Sequence, residues 1–321
     1  MIQFENSNNQ QQPKRVTPYA NKGKYTDNIN YTQKADYTGR VYDSVEHGKY
    51  TVVRELLPMD LKSRMFEVEF HNTGYHAIVS QGKMISGEIK DKYVPSVYGI
   101  GYIGDEYYIS GAPDKRAMYK IWNDMIQRCY SPTADDWHTY GGRGVRVRED
   151  WHNFTQFYLD VKKISGYENK VREPKMYNLD KDYLQQNVPS GNRIYSKDTC
   201  VWVSQKENSL LRGRDNNSTG YFGTLNDRGT CKYKMVLFGI QYARFDTPEE
   251  AACLFNYIYP IMKDKKYCTF PMINNIRMYT FEELMLRNKM VDTTVMDRFY
   301  EINKDCLRMI YESYCAAQPI T

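Results

Sequence analysis

The stretch that decides the reading is Tyr177-Asn178-Leu179-Asp180-Lys181-Asp182, followed by Cys200-Val201-Trp202-Val203 and then Ser204-Gln205-Lys206-Glu207-Asn208. The segment Asn178 to Asp182 alternates apolar and charged residues and reads as a short strand. Pro189, Ser190, Gly191 and Asn192 supply turn chemistry after it. Cys200 to Val203 is β-branched and aromatic, which suits a second strand. Ser204 with Glu207 three residues on is a capping box, so a helix starts there. Asn208 falls on the second turn of that helix, and Arg212 and Arg214 lie towards its end.

A hard divalent cation takes oxygen ligands. The first strand can offer the carboxylate of Asp180, and the helix the amide oxygen of Asn208. On Leu179-Asp180-Lys181-Asp182, Tyr195-Ser196, Cys200 to Val203 and Gln205 to Asn208, the chain resembles the HNH endonucleases of phage homing type. That resemblance implies a ββα-metal core in which Asp180 and Asn208 hold a divalent metal, Mg²⁺ being the expected ion. Asp182 and Lys181 complete the implied catalytic set. The sequence departs from the family twice. Lys181 stands where the general-base His is expected, and Thr199 where an Asn braces the loop. A Lys acts as a base only when burial or a nearby cation lowers its pKa. Otherwise Lys181 steers a phosphate, and a metal-bound water supplies the hydroxide.

Composition bounds the choices. The 321 residues allow two or three small domains. Charged residues are 26% and the formal net charge is +5, a mildly basic balance that weakly favours nucleic acid. Mean hydropathy is -0.72 and no long apolar run occurs, so no membrane span is expected. The seven Cys are scattered without a C-x-x-C pair, which argues against a zinc site or a disulfide framework and fits reduced thiols. An intracellular setting is expected, the infected host cell for a phage-encoded chain.

The modules then follow in order. Residues 1–43, rich in Asn, Gln, Lys and Tyr, read as a disordered or loosely attached arm. Residues 44–112 read as a small β-rich module. Its strands are Tyr50 to Val53, Met65 to Phe70 and His76 to Val79, with a further one expected over Ile85 to Ile89. His71 and His76 read as surface histidines. Residues 113–214 carry an amphipathic helix from Asp114 to Tyr130, with an apolar stripe of Met118, Ile121, Trp122, Met125, Ile126 and Cys129. Tyr140-Gly141-Gly142-Arg143-Gly144-Val145-Arg146-Val147-Arg148 comes next, then Trp151 and Phe154, and a helix from Asn153 to Ile164. This order of motifs is similar to the segment ahead of the core in the same phage proteins. The glycines let backbone approach a phosphate, and Arg143, Arg146 and Arg148 would contact it; a tight turn into a surface strand is the plainer alternative.

Residues 215–262 read as three strands and a helix. The strands are Gly220 to Leu225, Lys232 to Phe238 and Gln241 to Phe245. The helix opens on Asp246-Thr247-Pro248-Glu249-Glu250. Gly220-Tyr221-Phe222-Gly223 and Phe245 to Ala252 resemble an AP2-type DNA-binding domain. The resemblance implies that the sheet enters the major groove, with Thr224, Arg228, Lys232, Lys234 and Arg244 touching DNA beside Arg212 and Arg214. Residues 263–321 read as packing helices.

The expectation is an α+β chain of small modules acting on double-stranded DNA as a metal-dependent endonuclease, a monomer on its target, with no small-molecule cofactor. Two alternatives stay open. One is a DNA-binding protein with a degenerate core, favoured by Lys181 and Thr199. The other is an interaction protein built from the same small folds.

Overall fold

The computed structural model describes residues 25–26, 35–58, 63–105, 109–228, 230, 232–263, 265 and 268–317. Most of the arm, with Gly229 and Cys231, lies outside them. The chain is mixed α and β and divides into two units, 1–137 with 149–158, and 138–148 with 159–321. The segment read as one module over 113–214 is therefore shared between both.

In the first unit an antiparallel sheet is formed by β1 (Tyr25–Thr26), β2 (Val41–Ser44), β3 (Gly48–Pro58), β4 (Met65–Phe70) and β5 (His76–Ser80). The order is β1-β3-β4-β5, and β2 also pairs with β3. Structure thus starts before residue 44, with Tyr37 packed edge-on against Phe66. The alternation in β4 buries Phe66, Val68 and Phe70. Glu67, on the opposite face, is buried too. It is compensated by Arg54 at 2.6 Å and His76 at 2.8 Å, as a buried charge requires. The strand expected over Ile85 to Ile89 is absent. A short helix, α1 (Gln81–Ser86), stands there and stops at Gly87, whose φ of 73° closes it. Met84 drives the change: its side chain is fully buried and its carbonyl accepts the Tyr50 hydroxyl.

Helix α2 (Lys115–Tyr130) follows the expected stripe, burying Met118, Trp122, Met125, Ile126 and Cys129. Asp114 does not cap it, because its carboxylate accepts the Tyr158 hydroxyl instead. Trp122 donates its indole N–H to the Trp151 carbonyl at 2.7 Å. Trp151, Phe154 and Phe157 are fully buried beside it, the last two on α3 (Phe154–Val161). Truncating one such ring to alanine costs about 3–5 kcal/mol.

The second unit holds β6 (Arg146–Val147), α4 (Tyr167–Arg172), β7 (Tyr177–Asp180), β8 (Ile194–Tyr195), β9 (Val201–Ser204) and α5 (Gln205–Asn216). Strands β7 and β9 are antiparallel, with Tyr177 opposite Ser204 and Asp180 opposite Val201. Strands β6 and β8 are parallel. Helix α5 opens with the full Ser204–Glu207 capping box and packs on both β7 and β9. Strand, loop, strand, helix therefore forms as read, except that β7 stops at Asp180.

Next come β10 (Thr224–Asp227), β11 (Lys232–Leu237), β12 (Ile240–Phe245) and α6 (Pro248–Met262), a three-stranded antiparallel sheet backed by a helix. The strand expected from Gly220 starts only at Thr224, because Gly220 and Gly223 take positive φ and make a turn. Phe238 and Gly239, at φ 51° and 84°, turn β11 into β12 as a two-residue hairpin. Thr247 caps α6 with Glu250 completing the box and Pro248 in the first turn. Every residue from Glu250 to Tyr259 is buried, so α6 is covered on all sides. The sheet lies on one side. On the other lie α7 (Phe281–Arg287), α8 (Thr294–Ala317) and the segment 268–280. That segment, in a region read as mostly helical, forms neither helix nor strand. Asn256 and Asn274 exchange side-chain and backbone hydrogen bonds at 2.7 and 2.9 Å to hold it. No helix among the described residues is long and apolar enough to cross a membrane.

Candidate functional site

Asp180 ends β7 because its own side chain turns the backbone. Its Oδ1 accepts the N–H groups of Asp182 at 2.9 Å and Tyr183 at 2.8 Å. The turn puts three charges in succession at the mouth of the β7–β9 hairpin. Asp180 is only 5% exposed. Burial pushes its carboxyl from the ordinary 3.8 up to about 6, the charge of Asp182 adds to the rise, and the two backbone N–H groups and the Lys181 ammonium oppose it. Asp182 goes the other way. Desolvation acts to raise it, but the Lys181 ammonium and Arg193 guanidinium outweigh that and hold it below the usual carboxylate range.

Lys181 is as buried as Asp180. Its Nζ donates to Asp182 Oδ1 at 2.7 Å. The same ammonium lies 4.9 Å from the ring centre of Tyr140 and 5.4 Å from that of Tyr195, a cation–π seat. Arg193 donates to Asp182 at 2.9 Å and to Asp215 at 2.7 Å. Asp215 lies near the end of α5, so the network ties the hairpin to the far end of its helix.

The loop between β7 and β9 is braced by Gln185. Its amide donates to the carbonyls of Lys181 at 2.7 Å and Ile194 at 3.0 Å, and its oxygen accepts the Ile194 N–H at 3.0 Å. The Thr199 hydroxyl donates to the same Ile194 carbonyl at 2.6 Å. Thr199 thus serves the brace, with Gln185 making most of its bonds.

The glycine-rich loop docks on this hairpin. Arg146 pairs with Ile194 and Val147 with Tyr195 across β6 and β8. Gly144 and Gly191 make the close approach possible: a Cβ on Gly191 would stand 2.2 Å from the Arg143 carbonyl oxygen. Arg143 and Arg146 are exposed at the rim, with no counter-ion among the described residues. Arg148 is half-buried and paired with Asp198.

The remaining residues separate. Asn208 is half-buried on the second turn of α5, next to the buried Glu207. Its amide has no hydrogen bond among the described residues. Arg212 is exposed. Arg214 lies over the Phe222 ring at 4.9 Å and bonds Gln186 and Asp215. On the three-stranded sheet, Thr224 is fully buried. Lys232 is held by Asp246 at 2.6 Å. Lys234 and Arg244 lie 3.6 and 2.8 Å from Asp227. Of the sheet cations, Arg228 alone is exposed without a partner among the described residues. A cavity of about 330 Å³ between α5 and the sheet shares no residue with the Asp180 network.

No group of three or more His, Cys, Asp or Glu side chains suited to a metal occurs among the described residues. Asp180 offers one carboxylate and Asn208, on α5, one amide oxygen. A buried carboxylate raised to about 6, whose nearest ammonium is committed to Asp182, is short of positive charge. Mg²⁺ binds through one or two carboxylates while keeping several waters.

Sequence reasoning missed Arg193, Gln185, Asp215 and the two tyrosine rings. Arg193 in a polar loop carries no local signal, since its partners are 11 and 22 residues away. Tyr140 and Tyr195 stood in quoted motifs, and their convergence on Lys181 needed the β6–β8 register. No family model, curated protein or solved structure matches this chain.

Proposed function

We propose that this chain binds double-stranded DNA and hydrolyses its phosphodiester backbone at the hairpin of β7 and β9. One observation supports the reading: the Tyr140–Arg148 loop docks on that hairpin, with Tyr140 against Lys181, the neighbour of the buried Asp180, and Arg143 and Arg146 on the same loop are exposed without a counter-ion among the described residues. Phosphate oxygens are drawn to the rim by the two arginines. Asp180 and Asn208 would hold a divalent ion, which supplies charge neutralisation at the reacting phosphate when bound. Lys181, fixed between two rings and Asp182, orients the phosphate as a point charge. Arg193 and Gln185 keep the loop in place and so fix Asp180. Arg212 and Arg228 extend the backbone contacts.

A second reading, DNA binding without cleavage, is favoured by the Lys181–Asp182 pair, which commits the ammonium at the base position. The two readings separate in a nicking assay on supercoiled plasmid with Mg²⁺. Cleavage by the wild type that is lost in Asp180→Asn, with duplex affinity unchanged, supports hydrolysis. Equal DNA binding with no nicking by either supports the second reading. No salt-sensitive DNA binding at all overturns both.

A further inference from the structure

Helix α8 has two unlike faces. One buries Met296 and Leu307 and packs Phe299, Ile310 and Tyr314 against the core of the second unit. The other exposes Val295 at 43%, Ile302 at 70% and Met309 at 65%. These three stand seven residues apart in sequence, so they form one stripe along two heptads. Ala316 continues it, also exposed.

The charges beside the stripe point to its occupant. Arg298 and Glu301 lie in the N-terminal half of the helix, and Arg308 and Glu312 in the C-terminal half. A second α8 laid antiparallel brings Arg298 to Glu312 of the other copy and Glu301 to its Arg308. It also brings Ile302 to Met309 and Val295 to Ala316. Each of the four pairs is centred on the same place, residues 304–306, so all four form together about one two-fold axis. A parallel copy would instead turn this charged flank towards the opposite flank of its partner, so none of these charge pairs would form. The cost of the antiparallel arrangement is Asp305, which meets its own counterpart at the axis. Within one chain Glu301 pairs with Lys304 at 2.8 Å and Arg308 with Glu312 at 3.8 Å. These are exposed and weak, and they leave the stripe itself uncovered.

We infer that α8 is a self-association surface: two copies of this chain pair through antiparallel α8 helices, with Ile302 and Met309 at the centre and Glu301–Arg308 contacts on the flank. The sequence alone was read as a monomer on DNA, and this face argues for a pair. The inference does not depend on nuclease activity.

Sedimentation velocity of the full chain over roughly 1–100 µM tests it. The wild type is expected to move from one to two chains' mass. Ile302→Glu is expected to weaken the pair at least about tenfold. Arg308→Glu alone sets Glu against Glu and weakens it, whereas Glu301→Arg with Arg308→Glu restores it. Asp305→Asn removes the like-charge meeting and tightens the pair, a gain that misfolding cannot produce. A one-chain mass at every concentration overturns the inference. So does a dimer indifferent to Ile302→Glu, one not rescued by the double reversal, or one that Asp305→Asn leaves no tighter.

Discussion

The Lys181 ammonium donates to the Asp182 carboxylate, its neighbour in sequence, at 2.7 Å, while Asp180 beside them makes no ion pair among the described residues and feels Lys181 only through its field. Three consecutive charges therefore resolve into a closed pair and one buried, charge-deficient carboxylate. The difference arises because the turn at Asp180 spends one of its oxygens on backbone N–H groups and swings Asp182 towards Arg193.

The first prediction concerns pH. The Asp180 carboxyl stands at about 6 in the fold against 3.8 ordinarily. Between those values the folded chain holds a proton that the unfolded chain has released. The contribution of this group to stability is full below about pH 3.8 and is lost as pH rises through about 6. Asp180→Asn keeps the acceptor oxygen and removes the buried charge. In urea denaturation without metal it is expected to stabilise the chain by about 3 kcal/mol at pH 7.5 and by under about 1 kcal/mol at pH 4. Asp182, held low by Lys181 and Arg193, loses its contribution only in more acid solution, equally in both variants.

The second prediction concerns that pair. Lys181→Met keeps the packing between Tyr140 and Tyr195 but strands Asp182 with Arg193 alone. A double-mutant cycle with Asp182→Asn is expected to give a coupling energy of roughly 1–3 kcal/mol. A coupling near zero would show that the ammonium does not depend on Asp182.

A third prediction follows from Glu207, which is fully buried. Its carboxylate accepts the N–H groups of Ser204 at 2.7 Å, Thr269 at 2.6 Å and Phe270 at 2.7 Å. It therefore caps α5 and pins the segment 268–280. Glu207→Ala is expected to cost about 3 kcal/mol. Hydrogen exchange should speed up at Thr269 and Phe270 before the β7–β9 strands.

The fourth prediction separates free from committed cations. Arg143→Ala and Arg146→Ala are each expected to lower duplex affinity and to reduce the slope of log affinity against log salt by about 1. Lys232→Ala and Lys234→Ala should change that slope little, since Asp246 and Asp227 already neutralise them. Filter binding across a salt series measures all four.

Much of the fold was legible in the chain. The capping box at Ser204, the α2 stripe, the opening of α6 at Thr247-Pro248 and the strands β11 and β12 are local patterns, and each formed close to where it was read. The misses have physical causes. Ile85 to Ile89 lost its strand to the burial of Met84 and the left-handed Gly87. Thr224 opens a strand rather than closing one, because two glycines before it turn. The segment 268–280 forms no helix because the buried side chains of Asn256 and Glu207 take backbone groups of Asn274, Thr269 and Phe270, a long-range effect without a sequence period. At the site, Asp180, Lys181 and Asn208 stood out by position. Arg193 and Gln185 did not, since their work depends on a loop whose closure only the folded chain reveals. That Lys232 pairs with Asp246, and Lys234 and Arg244 with Asp227, shows only in the folded sheet.

The central claim is that Asp180 and Asn208 share one divalent ion beside bound DNA. Electron paramagnetic resonance of Mn²⁺, titrated into the chain with a saturating duplex, measures this directly. The account predicts one tightly held ion per chain in the wild type, weakened at least about tenfold in both Asp180→Asn and Asn208→Ala. Uptake that is equal in all three proteins, or absent from the wild type, would contradict it.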